Sequence, residues 1–204
     1  AETRIDAALA GILNALTPLF VILVGKAFFQ LTVKPIQVVG IVIGFLGLSA
    51  LVLSGRDISF AYLGYAFLVL LATLLYGINV NMVGRHLQGV AALDIAALAF
   101  VCLTIPCGLH LYGSGFLDLP LGEKPYLAAI GASALLGVGG TAIASVFFYV
   151  LVKRAGAVFA STVTYGIPFV ALAWGLQRGE TIGWWQVVSL FIILLGVWLV
   201  NKKN

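Results

Sequence analysis

Apolar residues run through this chain in long unbroken stretches, neither striped at i, i+3, i+4 like a water-facing helix nor alternating like a half-buried strand. Seven stretches come near or exceed the roughly 20 residues a helix needs to cross a bilayer core: Ala7–Phe29, Ile36–Leu53, Phe60–Val83, Val90–Tyr112, Tyr126–Val152, Ala157–Gln177 and Trp184–Val200. Turn-forming and charged residues fall between them, at Lys34-Pro35, Ser54-Gly55-Arg56-Asp57, Gly84-Arg85-His86, Gly113 to Pro125, Lys153-Arg154-Ala155-Gly156 and Gly179-Glu180. The pattern predicts an all-α integral membrane protein, a helical bundle of seven transmembrane helices. Continuous runs of this kind fit a membrane β-barrel poorly, because barrel strands alternate apolar with polar.

Composition agrees. The 204 residues are 62% hydrophobic and 9% charged, against about a quarter charged in soluble domains. The net charge of +4 is carried by 11 Lys and Arg scattered singly or in pairs, so no basic stripe awaits a nucleic acid. Counted by side, Lys26, Lys34, Arg85, Lys153, Arg154, Lys202 and Lys203 oppose Arg4, Arg56, Lys124 and Arg178. That excess places the carboxyl terminus in the cytoplasm of a cell (inner or plasma) membrane, with a bacterial source expected. Cys102 and Cys107 fit neither a disulfide framework nor a zinc site and are expected to be inert buried thiols. No metal or cofactor is implied. The opening AETRIDAALAG has no initiating Met and no basic region of a signal peptide, and reads as a cut in mid-protein.

The first two segments resemble the last two. ALAGILNALTPLFVILVG sets Pro18 over Pro168 and Gly25 over Gly175 in FASTVTYGIPFVALAWG. After a one-residue gap, TVKPIQVVGIVIGFLGLSALV sets Thr32, Gln37 and Gly47 over Thr181, Gln186 and Gly196. Segment one then corresponds to segment six, five helices on. Five is odd, so the two copies cross the membrane in opposite directions. Inverted repeats of this kind build many secondary transporters. Residues 1–54 are read as the last two helices of a first repeat and 55–204 as a complete second repeat. The chain is then a fragment of a ten-helix fold with two inverted five-helix repeats.

Pro168, Gly175, Gly179-Glu180, Gln186 and Leu195-Gly196-Val197, preceded by GGTAIASVFFYVLVKRAGAVFAS at Gly139 to Ser161, resemble the EamA domain of the drug/metabolite transporter superfamily. The resemblance implies a ten-helix exporter or exchanger of small metabolites in a cytoplasmic membrane, surrounded by lipid, with a homo-oligomer left open. One departure is Gln30 where the second repeat has Glu180.

The spans contain little charge to do chemistry. Asp94 is read as a carboxylate near a helix N-terminus, with a cation site as the alternative. Glu180 is read as a loop acid at a helix junction, with a coupling acid as the alternative. Neutral polar residues share helix faces: Asn14 and Thr17 on segment one; Thr73, Tyr76 and Asn79 on segment three; Thr141, Ser145 and Tyr149 on segment five; Ser161, Thr164 and Tyr165 on segment six. These are candidates to line a substrate cavity; the competing reading is that they bond neighbouring helices or their own carbonyls. Pro18, Pro106 and Pro168 each remove a helical hydrogen bond, so a kink or hinge is expected there. Gly40 and Gly44 form a GxxxG that lets backbones approach.

No catalytic constellation is present: neither GxSxG, HExxH nor paired acids occur in the spans. The expected function is secondary transport of a small metabolite or drug-like compound by alternating access. The alternatives are a seven-helix receptor, against which the repeat argues, and a channel.

Overall fold

In the computed structural model the structure describes residues 13–53, 63–177 and 183–202, and among these the regular elements are all helical. Helices are what the physics demands, because in hydrocarbon each backbone N–H and C=O must find a partner within its own segment. Four helical stretches are long and apolar enough to span: Phe67–His86, Ala92–Gly113, Lys124–Ala155 and Trp184–Asn201. Shorter apolar helices occupy Thr17–Phe28, Pro35–Leu51 and Ala157–Val170.

The chain divides into two compact units, His86–Arg154 and the remainder. The larger unit contains α1 (Thr17–Phe28), α2 (Pro35–Leu53), α3 (Leu63–His86), α7 (Ala157–Ser161), a 3-10 turn (Thr162–Gly166), α8 (Ile167–Gln177) and α9 (Trp184–Asn201). The smaller contains α4 (Ala92–Gly113), a 3-10 turn (Phe116–Asp118), α5 (Lys124–Leu135), a π-helical stretch (Leu136–Ile143) and α6 (Ala144–Ala155).

The larger unit is organised on the crossing of α2 with α9. Apolar side chains gain little by leaving lipid for a neighbouring helix, so close backbone approach and hydrogen bonds supply the attraction. Glycine makes the approach here. A Cβ on Gly40 would lie 2.6 Å from the Gly196 oxygen, and one on Gly47 would lie 2.9 Å from the Ile193 nitrogen. Gly40 meets Val200 while Gly47 meets Ile193, so the two helices are antiparallel. Ile22, Ile41, Val158 and Val200 form one apolar cluster beside the crossing, and Ala15, Leu48, Tyr165 and Ile193 form another.

Both helices of the crossing begin in the same way. The Lys34 N–H donates to Gln37 Oε1 at 3.0 Å, and the Gly183 N–H donates to Gln186 Oε1 at 2.7 Å. In each case a Gln on the first turn reaches back to satisfy an N–H that the helix leaves open.

α1 packs on α3 through a second small-residue contact. A Cβ on Gly77 would come 3.2 Å from the Phe20 carbonyl, and Asn81 Nδ2 donates to the Val21 oxygen at 2.8 Å. α1 ends with Gln30 in the left-handed region (φ 53) and the Leu31 N–H on the Gly25 oxygen at 2.9 Å.

In the smaller unit Pro125 lies in the first turn of α5, where its missing N–H costs nothing. The Gly-rich run LGVGGTAI then widens into the π-helix, and Thr141 Oγ1 approaches the Leu136 oxygen five residues back at 3.4 Å. Lys153 Nζ donates to the Gln88 and Val90 oxygens, tying the end of α6 to the linker before α4. Gly156, at φ 87, turns the chain out of α6 in a conformation L side chains rarely adopt.

Cys102 and Cys107 correct the sequence expectation, since both are exposed on α4. An apolar run marks a segment suited to hydrocarbon, and in a membrane protein lipid can be the cover that a soluble core would supply. Asp94 is exposed in the first turn of α4, where a carboxylate complements the positive end of the helix dipole.

Candidate functional site

Two of the apolar segments are broken, and each break stands just before a proline. Pro18 has no N–H to offer the Asn14 carbonyl, and its ring crowds that same carbonyl one turn back. The helix entering from residues 13–14 therefore gives way to a turn at 15–16 and restarts as α1. The Leu16 N–H reaches the Leu13 oxygen at 3.1 Å, and Thr17 Oγ1 donates to the orphaned Asn14 oxygen at 2.6 Å. In the other segment α7 lasts only from Ala157 to Ser161, tightens into the 3-10 turn, and restarts as α8 with Pro168 in its first turn. Pro18 and Pro168 thus lie at helix starts beside an interruption, whereas Pro106 lies inside the continuous α4.

Tyr165, in the 3-10 turn, connects the two breaks. It is fully buried, and its hydroxyl donates to the Ile41 oxygen at 3.0 Å and lies 3.4 Å from the Ala15 oxygen. Its ring covers Gly44, where a Cβ would stand 2.5 Å from Cε2. This is the polar contact that gathers residues from three elements around the interruptions.

Most of the hydroxyls read from the sequence as cavity-lining are turned onto their own helices. Thr73 Oγ1 donates to the Leu70 oxygen at 2.8 Å, Ser161 Oγ to Val158 at 2.7 Å and Thr164 Oγ1 to Ser161 at 3.0 Å. Such bonds occupy the proton and leave the oxygen lone pairs as acceptors. Thr17, Thr73 and Ser161 are buried, Tyr76, Asn79 and Thr164 half-buried, and Asn14 exposed. In the smaller unit Ser145 and Tyr149 are half-buried and Thr141 is exposed on the π-helix. Glu180 lies outside the described residues.

Sequence reasoning missed Asn81. The face chosen on α3 ran through Asn79, yet Asn81 is the buried one, donating to the Val21 and Gly77 oxygens at 2.8 Å each. The signal was the spacing of Gly77 and Asn81, a small residue four before a polar one, the same spacing that marks Gly40 and Gly44. Thr162, also missed, is buried with its hydroxyl on the Phe159 oxygen at 2.7 Å. A separate cavity of about 310 Å³ between the end of α2 and the start of α9 is lined by Ala50, Leu53, Trp185 and Ser189, none of them among the sequence candidates.

Comparison with known proteins points the same way. Residues 63–202 match the EamA-like transporter family. An uncharacterized transporter of Archaeoglobus fulgidus is 26% identical over all 204 residues, which span 71% of that protein's length.

Proposed function

The chain belongs to the EamA-like transporter family and is an integral membrane transporter, and from that premise we propose that it moves a small metabolite or drug-like compound as a secondary exporter or exchanger by alternating access. The observation that carries the reading is the pair of interrupted helices before Pro18 and Pro168. Interrupted hydrophobic segments at corresponding positions of two halves are where substrate sites of inverted-repeat transporters lie, near the midplane.

The repeat has further support in contacts. Aligned residues do the same work: Gln37 and Gln186 each close a helix start, and Gly47 and Gly196 each lie at the α2–α9 crossing. The contact of Gly44 with Gly196 becomes that of Ile193 with Gly47 when each residue is replaced by its counterpart, and both contacts are close. A pseudo-two-fold axis through the crossing has this signature. On this reading the carboxyl terminus faces the cytoplasm, and the exposed or half-buried Asn14, Tyr76, Asn79 and Thr164 contact the substrate. Thr17, Thr73, Ser161 and Tyr165 shape its pathway.

Counterflow tests the proposal. Proteoliposomes holding the full-length protein are loaded with a labelled pool of amino acids, nucleosides and sugars, and efflux is followed with and without the same pool outside. Saturable acceleration of efflux by external compound is expected, and its loss in Asn14→Leu or Tyr76→Ala at unchanged membrane expression assigns those residues to the pathway. Efflux that external compound leaves unaccelerated would indicate a pore and overturn alternating access.

A further inference from the structure

Tyr165 is the largest fully buried side chain among the described residues, and its surroundings are unequal in a way that alternating access turns into a function. Its hydroxyl has one proton and two carbonyls within reach, Ile41 in α2 and Ala15 in the break before Pro18. Among the described residues no backbone N–H donates to the Ala15 oxygen, so that acceptor, freed by the interruption, is left to the phenol. One side chain therefore serves the interruption in one half and lies, in its own half, on the 3-10 turn that precedes Pro168.

The alignment that sets Pro18 over Pro168 sets Ala15 over Tyr165, so the hydroxyl and its acceptor belong to counterpart residues. Their partners are counterparts too. Tyr165 lies on Gly44, and Ala15 shares an apolar cluster with Ile193, which the alignment sets over Gly44. A large ring on glycine in one half is answered by a methyl group beside isoleucine in the other. The volumes balance, but the polar contact exists on one side alone.

We propose that Tyr165 is a positioning residue that latches the break before Pro18 to α2 and biases the protein toward the access state of this structure. The proposal rests on the alternating-access reading. In an inverted-repeat transporter the opposite state forms when the two halves exchange conformations. After that exchange the place of Tyr165 falls to Ala15, which has no hydroxyl for the freed carbonyl and no ring to cover the partner helix. The exchanged state lacks the latch, and a contact made in only one of two states shifts their ratio by its own worth.

The test uses the full-length protein in lipid nanodiscs, with Cys102 and Cys107 replaced by serine and nitroxides attached at Leu23 and Leu176, both exposed, on α1 and α8. Pulsed electron–electron resonance reads the distance between them. A dominant and a minor distance are expected, with Tyr165→Phe raising the minor-to-dominant ratio about fivefold, the worth of one net hydrogen bond, and Tyr165→Ala raising it further. Two distances whose ratio neither substitution moves would overturn the latch and leave alternating access standing. A single distance in every variant would overturn both. Broadening of both distances at an unchanged ratio, with a lowered melting temperature, would reduce Tyr165 to packing and also overturn the latch.

Discussion

Gly44 and Gly196 meet backbone to backbone: a Cβ on Gly196 would stand 2.5 Å from the Gly44 nitrogen and 2.6 Å from the Gly40 oxygen. Backbone cannot swing aside as the end of a flexible side chain can, so any larger residue must force α2 and α9 apart. Gly196→Ala is expected to destabilise the protein by about 2–3 kcal/mol, the upper part of the overpacking range. Gly108→Ala on α4, where a Cβ meets nothing within 4 Å, is expected to stay within about 0.5 kcal/mol. Thermal unfolding of the two variants in the same detergent separates them, and equal losses would show that the crossing is not the tight contact described.

The α1–α3 contact depends on a hydrogen bond rather than on space alone. Asn81 Nδ2 reaches across to the Val21 oxygen at 2.8 Å from a side chain only 2% exposed. Asn81→Leu keeps the branched shape at a larger volume and removes the donor, at an expected cost of about 0.6–1.7 kcal/mol, from the average to the largest value for interhelical bonds in membranes. Asn79→Leu, at a half-buried position two residues away, is expected to change the unfolding midpoint little. The reverse order of effects would return the inward face of α3 to the one chosen from the sequence.

That choice shows where sequence legibility ends. Helices are legible because hydrocarbon length sets the length of each run: the apolar run Ile36–Leu53 forms the helix Pro35–Leu53, and the run Trp184–Val200 forms Trp184–Asn201. Which face turns inward was not legible. A helix between lipid and protein is apolar all round, so no polar stripe orients it. Asn79 and Asn81 differ in burial without differing in kind. The hydroxyls misled for a related reason: Ser and Thr can bond their own preceding turn, and Thr73, Ser161 and Thr164 do so. The interruptions at Pro18 and Pro168 were legible in position, whereas the tyrosine that joins them was named only as one member of a face. Its two acceptors lie 124 and 150 residues away in the chain.

Gln30 offers a gain of stability. It holds φ 53 at the end of α1, a left-handed conformation that costs an L residue about 1–2 kcal/mol and glycine almost nothing. Glycine also loses more backbone freedom on folding, which offsets part of the relief. Gln30→Gly is expected to stabilise by about 0.5–1 kcal/mol, read as a raised melting temperature. A lowered one would mean that the glutamine side chain makes a contact worth more than the strain.

Gln37 and Gln186 make the last prediction, because a match between the proposed repeats can be kept either for a local duty or for a shared site. Each accepts a backbone N–H at the start of its helix, at 3.0 Å from Lys34 and 2.7 Å from Gly183. Since α2 and α9 are antiparallel, the two caps lie at opposite ends of the crossing and share no partner. Alanine at either position is expected to cost about 0.5–1 kcal/mol, and the double variant the sum of the two, as for independent sites. Glutamate preserves the acceptor and adds a negative charge at the positive end of the helix dipole, so Gln37→Glu and Gln186→Glu are expected to hold stability at or above that of the parent. Counterflow should survive all of these variants if the glutamines serve only their helices. Loss of counterflow in both glutamate variants at full stability would instead move the substrate path to the helix starts and away from the interruptions at Pro18 and Pro168.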